Sequence, residues 1–194
     1  MSIFQKYKEV FIAAGVVSGG ALLYFLLKRT RGIGSLASEL EDTLGIYEVG
    51  GDNVSFSDPK FQQELKDLGW RTGWSWCVLY SKYIWSKILP KKKWDVAKNL
   101  LSVNSQTSWV AFSKDKSGYF ELSNKPKKGS IVIWQYPNNP SAGHAGVVTK
   151  VYEKTFDTQE GNYSGKVSKA TRKLIFNNVV ETEGFKLLGF INIK

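Results

Sequence analysis

Pro126 divides this chain into two hydrophobic periodicities, and a fold for it must give each a place. Before Pro126 apolar residues recur every three to four positions. Leu36, Ala37, Leu40 and Leu44 predict a helix stopped by Gly45. Asp58-Pro59 predicts the start of a second helix, with Phe61, Leu65 and Leu68 on one face and Gly69 at its end. A third opens at Cys77 after the turn at Gly73 and runs through Ile84 and Ile88 to Pro90. Between Lys91 and Lys125 the pattern weakens, with helices expected at Trp94–Leu101 and Ser105–Phe112. After Pro126 come short β-rich runs: Gly129–Trp134, a strand opened by His144, Thr155–Asn162, Arg172–Phe176 and Phe185–Ile193. Helices first and strands second predict an α+β domain with a largely antiparallel sheet.

The N-terminus is of another kind. Val10 to Leu27 is an 18-residue stretch without a charge, with Lys6 and Lys8 before it and Lys28, Arg29 and Arg31 after it. A bilayer core needs about 20 apolar residues. The stretch exceeds a signal-peptide core of about 7–15 residues, and basic residues stand where a cleavage site would lie. A single transmembrane helix is therefore expected at residues 10–27, with the lipid bilayer as its partner. The flanking charges are nearly balanced and set no orientation. This gives an anchor at 1–31, a linker at 32–35 and a globular domain at 36–194.

The 194 residues carry a net charge of +10, which favours polyanionic surroundings. Lys91-Lys92-Lys93 and Lys125-Pro126-Lys127-Lys128 lack the aromatic interleaving of a nucleic-acid platform, so no specific nucleic-acid binding is expected. One cysteine excludes an intrachain disulfide and a cysteine zinc site. No cofactor and no metal are expected.

Cys77 is the only cysteine and His144 the only histidine. Taken singly, each also reads as a buried structural residue. Their places suggest more. A thiol at a helix start sits among free amides that favour the thiolate. Glu160 and Asn162, two apart on a strand, share a face. A three-residue loop at Tyr152-Glu153-Lys154 would pair Val151 with Thr155, His144 with Asn162 and Gly146 with Glu160, placing His144, Glu160 and Asn162 on one face. A two-residue loop would put His144 on the opposite face. An odd-length loop or a bulge is therefore predicted. The catalytic candidates are Cys77, His144, Glu160 and Asn162, the parts of a cysteine acyl-transfer site.

From Leu36 to the C-terminus the chain resembles the CHAP peptidoglycan hydrolases of the papain-like NlpC/P60 group. The resemblance rests on five segments in the family's order: Glu48–Asn53, Trp76-Cys77, Pro126–Val132, Gly143–Val148 and Glu160–Ser164, trailed by Val167 and Arg172. It implies a papain-like domain that cuts a peptide or amide bond of bacterial peptidoglycan. Cys77 would be the nucleophile, His144 the base, Glu160 the residue orienting the imidazole, and Asn162 a support for that pair or the substrate. The Cys77 amide would form part of the oxyanion hole, with Trp74, Trp76 and Tyr47 as candidate side-chain donors.

Two departures from the family stand out. Ser130 replaces a common aspartate, with an effect expected on a turn. Gly69 to Trp76 holds no acidic residue, so the calcium site of some relatives is not expected, and Asp52 and Asn53 read as turn formers. Together the resemblance and the expected anchor imply a membrane-anchored wall hydrolase with its catalytic domain facing a cell wall, either in a bacterial envelope or in a phage that uses it to enter or lyse a cell. The alternative is a non-catalytic structural membrane protein of a virion. A papain-like acyltransferase would need an acyl-donor site that the sequence does not display.

Overall fold

The computed structural model describes residues 35–176, 179–180 and 184–194. The stretch at 10–27, expected to cross a membrane, lies outside the described residues. Among those described, no helix is long and apolar enough to do so.

The expected order of helices and strands is present, with additions. Helix α1 (Leu36–Thr43) leads into a small antiparallel pair, β1 (Glu48–Val49) and β2 (Ser55–Phe56). Helices α2 (Pro59–Asp67), α3 (Cys77–Ile88), α4 (Lys91–Leu100) and α5 (Ser105–Ser113) follow. The strands are β3 (Phe120–Ser123), β4 (Ile131–Tyr136), β5 (Asn139–Val151), β6 (Thr155–Glu160), β7 (Ser168–Lys173), β8 (Val179–Val180) and β9 (Phe185–Ile193). Their order is β3-β9-β4-β5-β6-β7, with β8 on β9 and every pairing antiparallel. The sequence missed β1, β2, β3 and β8, and started β7 four residues late.

Helix α3 is the centre of the domain because it is apolar nearly all round. Val78, Leu79, Tyr80, Ile84, Trp85 and Ile88 are all buried. Leu89 closes it in an extended conformation, as expected for the residue before a proline. The run Ile131-Val132-Ile133-Trp134 explains how the sheet divides the interior. Ile131 and Ile133 join the main core with α3, Ala145, Val147 and Ile191. Val132 and Trp134 join a second cluster with Val148, Phe156, Leu187 and Phe190. A strand buried on both faces reads as a continuous apolar run instead of an alternating one.

Two polar ties fix the turn before β4. Trp85 Nε1 donates to the Gly129 carbonyl at 2.8 Å. The Ser130 hydroxyl, buried, accepts from the Lys127 amide at 3.1 Å and donates to Asn192 Oδ1. Ser130 thus acts on the turn, as expected.

Candidate active site

Cys77 is the first residue of α3, and no side chain caps the amides there. Burial alone would push its thiol up. A hydrogen bond and charge from His144, with smaller help from Ser75 and the Ala145 amide, outweigh that and hold it below the ordinary value.

The β5–β6 hairpin decides whether His144 can meet Glu160. Val147 faces Gln159 and Val148 faces Thr158, but Lys150 faces Asp157 and Val151 faces Phe156. Thr149 is the surplus residue, a bulge. Val151 therefore pairs with Phe156 and not, as expected, with Thr155. Beyond the bulge the register is the expected one, and the predicted shared face follows. His144 Nε2 lies 2.9 Å from Glu160 Oε2, both side chains buried. Two glycines make room here. A Cβ on Gly146 would stand 2.6 Å from Glu160 Cγ, and one on Gly161 would stand 2.4 Å from Tyr80 Cβ.

Asn162 goes elsewhere. Strand β6 ends at Glu160, and Asn162 takes a left-handed backbone with φ of 57°. Its Nδ2 donates to Ser75 Oγ at 3.0 Å and Asn53 Oδ1 at 3.2 Å. The expectation that Asn162 faces His144 across the hairpin is corrected: the chain turns before the pairing can continue. Asn162 is bound to Ser75 and Asn53 instead of the imidazole. Asp52 and Asn53, with φ of 48° and 58°, sit in the turn between β1 and β2 as expected.

The residue that sequence reasoning underrated is Arg172. Its Nε donates to Glu160 Oε1 at 2.9 Å and its Nη2 to Oε2 at 2.6 Å. The guanidinium lies over Tyr163, Trp134 and Phe185, at 4.8, 5.3 and 5.6 Å from the ring centres. His144 stacks on Phe185 at 5.3 Å and on Trp134 at 5.7 Å. Thr158 donates its hydroxyl to Glu160 Oε1. A signal existed: on a strand at 168–173, Arg172 shares the Ser168 and Ala170 face while Lys169, Thr171 and Lys173 take the other.

The electrostatics follow. Burial would raise the Glu160 carboxyl, but hydrogen bonds and charge from His144 and Arg172 bring it down to about 2. Burial would lower His144, but Cys77 and Glu160 together raise it to about 9. Thiol, imidazole, carboxylate and guanidinium stand in one buried line, in which the imidazole favours the thiolate while the thiolate and carboxylate favour the imidazolium. A thiolate beside an imidazolium is a nucleophile with its proton donor alongside.

Trp76 is not available to an oxyanion. It is fully buried, and its Nε1 donates to Glu48 Oε1 at 2.7 Å. That candidate is corrected, since its only N–H is already taken. Trp74 and Tyr47 remain exposed.

The family model of the CHAP domain matches residues 68–162. The match runs from just after α2 to Asn162, so it contains Cys77, His144, Glu160 and Asn162 and stops short of Arg172. No curated protein matches the chain. The matched segment, similar to a CHAP domain, lies on a mixed helix and antiparallel-sheet architecture.

Proposed function

We propose that this protein is a cysteine-dependent peptidoglycan hydrolase that cuts a peptide or amide bond, as an endopeptidase or an N-acetylmuramoyl-L-alanine amidase. The observation that carries this reading is the buried line from Cys77 through His144 and Glu160 to Arg172, most of it inside the CHAP match.

The reaction has two halves. The Cys77 thiolate attacks the carbonyl carbon, and the carbonyl π pair moves to oxygen as the S–C bond forms. The oxyanion then collapses, the C–N bond breaks, and His144 gives its proton to the leaving amine. In the second half His144 takes a proton from water as the hydroxide adds to the thioester. The C–S bond breaks, releasing a carboxylic acid and restoring the thiolate. Glu160 keeps the imidazole oriented and charged, while Asn162 acts on the cysteine side of the site.

We further propose that residues 10–27 anchor the enzyme in a membrane, with the catalytic domain facing the wall and a phage membrane as one setting, where it would serve entering or lysing a cell. The uncharged 18-residue stretch supports the anchor, and the +10 charge suits an acidic wall polymer. The test is mass analysis of purified peptidoglycan digested by the full chain in detergent, beside Cys77→Ala. Defined fragments from the wild type alone would establish the enzyme and name its bond. No fragments from several wall types would refute the hydrolase. Extraction of the chain from membranes by alkaline carbonate would refute the anchor.

A further inference from the structure

A tetrahedral oxyanion on Cys77 needs a donor beyond the Cys77 amide, placed about 2.7–3.1 Å from the developing charge. Trp76 cannot supply it, because Glu48 already holds its Nε1. Ser75 can. Its Oγ lies 3.9 Å from the Cys77 sulfur, two residues before it, and Ser75 is exposed whereas Cys77 is buried. The hydroxyl is also oriented. Asn162 Nδ2 donates into Ser75 Oγ at 3.0 Å, which occupies one lone pair of that oxygen and leaves its proton free to point away. Asn162 is itself tied to Asn53 Oδ1 at 3.2 Å, and both asparagines hold left-handed backbones. Acyl transfer requires Cys77 as the thiolate, which has no proton to give, so in that state the hydroxyl is the donor in the Ser75–Cys77 contact.

We propose that Ser75 is a catalytic residue whose hydroxyl donates first to the Cys77 thiolate and then to the oxyanion. The proposal rests on the acyl-transfer reading of Cys77 and not on the identity of the wall bond. On attack the negative charge leaves sulfur for the carbonyl oxygen as the S–C bond forms. The hydroxyl follows the charge over a short distance and keeps its own proton throughout. His144 retains its proton for the leaving group. Asn162 and Asn53 are positioning residues, acting on substrate only through Ser75. This gives Asn162 a role on the thiol side of the site.

Two reagents separate the steps. Iodoacetamide alkylates the thiolate without forming an oxyanion. p-Nitrophenyl acetate acylates it through one and reports the step as a burst of p-nitrophenol. In the full chain, Ser75→Ala is expected to slow the acylation burst by about 10- to 100-fold, at or below the range for losing one oxyanion donor. Alkylation at the same pH should change by less than about threefold, since the helix-terminal and His144 effects on the thiolate remain. Ser75→Thr should restore acylation by returning the hydroxyl. Equal slowing of both reactions would overturn the proposal, assigning Ser75 to the thiolate alone, and so would an unchanged burst. Wild-type protein that gives the burst but releases nothing from peptidoglycan would sink the substrate reading and leave Ser75 judged on its own. A wild type that neither alkylates quickly nor gives a burst would sink both.

Discussion

Arg172 grips both oxygens of Glu160, Nε on Oε1 at 2.9 Å and Nη2 on Oε2 at 2.6 Å, with each residue almost wholly buried. The pair places a fixed negative charge against His144 without leaving that charge unpaired. Desolvation of such a pair is costly, so its partners depend on each other. Replacing Arg172 with methionine strands the carboxylate in an aromatic pocket. We expect a loss of about 3–5 kcal/mol of stability, the range for breaking a buried pair. Chemical denaturation measures it, and an unchanged midpoint would mean that Thr158 and His144 suffice.

Gly146 and Gly161 flank the same carboxylate but predict different failures. A Cβ on Gly146 meets the Glu160 side chain, so Gly146→Ala should shift the carboxylate off the imidazole. A displacement near 1 Å can cost about a hundredfold in rate, and that is the loss expected in wall turnover with a folded protein. A Cβ on Gly161 meets Tyr80 and the Trp76 ring instead, both in the core. Gly161→Ala should cost about 1–3 kcal/mol in overpacking. Paired melting curves and turnover assays should split the two variants. If both lose stability equally, the Gly146 contact is structural.

The pH profile of stability carries the signature of the ion pair. Glu160 falls from 4.5 to about 2 on folding, so its contribution is present above pH 4.5 and is lost as pH falls towards 2. His144 rises from 6.5 to about 9, so its contribution is complete below pH 6.5 and is lost as pH rises through 9. Cys77 is lowered from 9.0, so its contribution grows as pH rises and is complete above that value. Between pH 6.5 and 9 the last two oppose each other. Wild-type stability should therefore change less with pH there than that of Cys77→Ala, which keeps only a His144 contribution and loses it as pH rises above 6.5. Denaturation midpoints at half-unit pH steps make the comparison, and parallel curves would rule out the thiolate–imidazolium pair.

Trp76 next to the nucleophile couples β1 to α3 through its hydrogen bond to Glu48. Its ring also packs edge-on against Phe56 at 4.9 Å and Phe61 at 6.0 Å. Trp76→Phe keeps most of the ring contact and strands the Glu48 oxygen. The expected cost is about 1–3 kcal/mol, the range for an orphaned polar partner. Glu48→Gln retains an acceptor and should cost less. A reversed order in thermal unfolding would show that the tie carries no weight.

Cys77 and Glu160 were legible because each sits at an element boundary that sequence marks well, whereas His144, expected to open its strand, lies inside β5. Gly73 and Pro90 bracket the Cys77 helix, and Asp58-Pro59 marks α2, where the Asp58 side chain accepts from the Lys60 and Phe61 amides. The shared face of His144 and Glu160 followed from strand parity together with the predicted odd-length loop or bulge, which the bulge at Thr149 supplies. The misses have physical causes. Arg172 hid because its strand was read from the apolar Arg172–Phe176 run, whereas the observed strand, Ser168–Lys173, is polar along one side. Ser75 hid because its role depends on Asn162, 87 positions away. Asn162 itself was misdirected because continued strand geometry was assumed where a left-handed residue breaks it.

The bulge at Thr149 has a practical corollary for protein engineering. It separates the hairpin into a catalytic stem, whose alignment is locked by core packing, and a tip from Lys150 to Thr155 that answers to different constraints. The tip is solvated, with Glu153 and Lys154 exposed, and lies about 26 Å along the strand from His144. A reporter peptide or affinity tag spliced between Glu153 and Lys154 would leave the alignment of the stem untouched, giving a handle on the enzyme that does not pass through its chemistry.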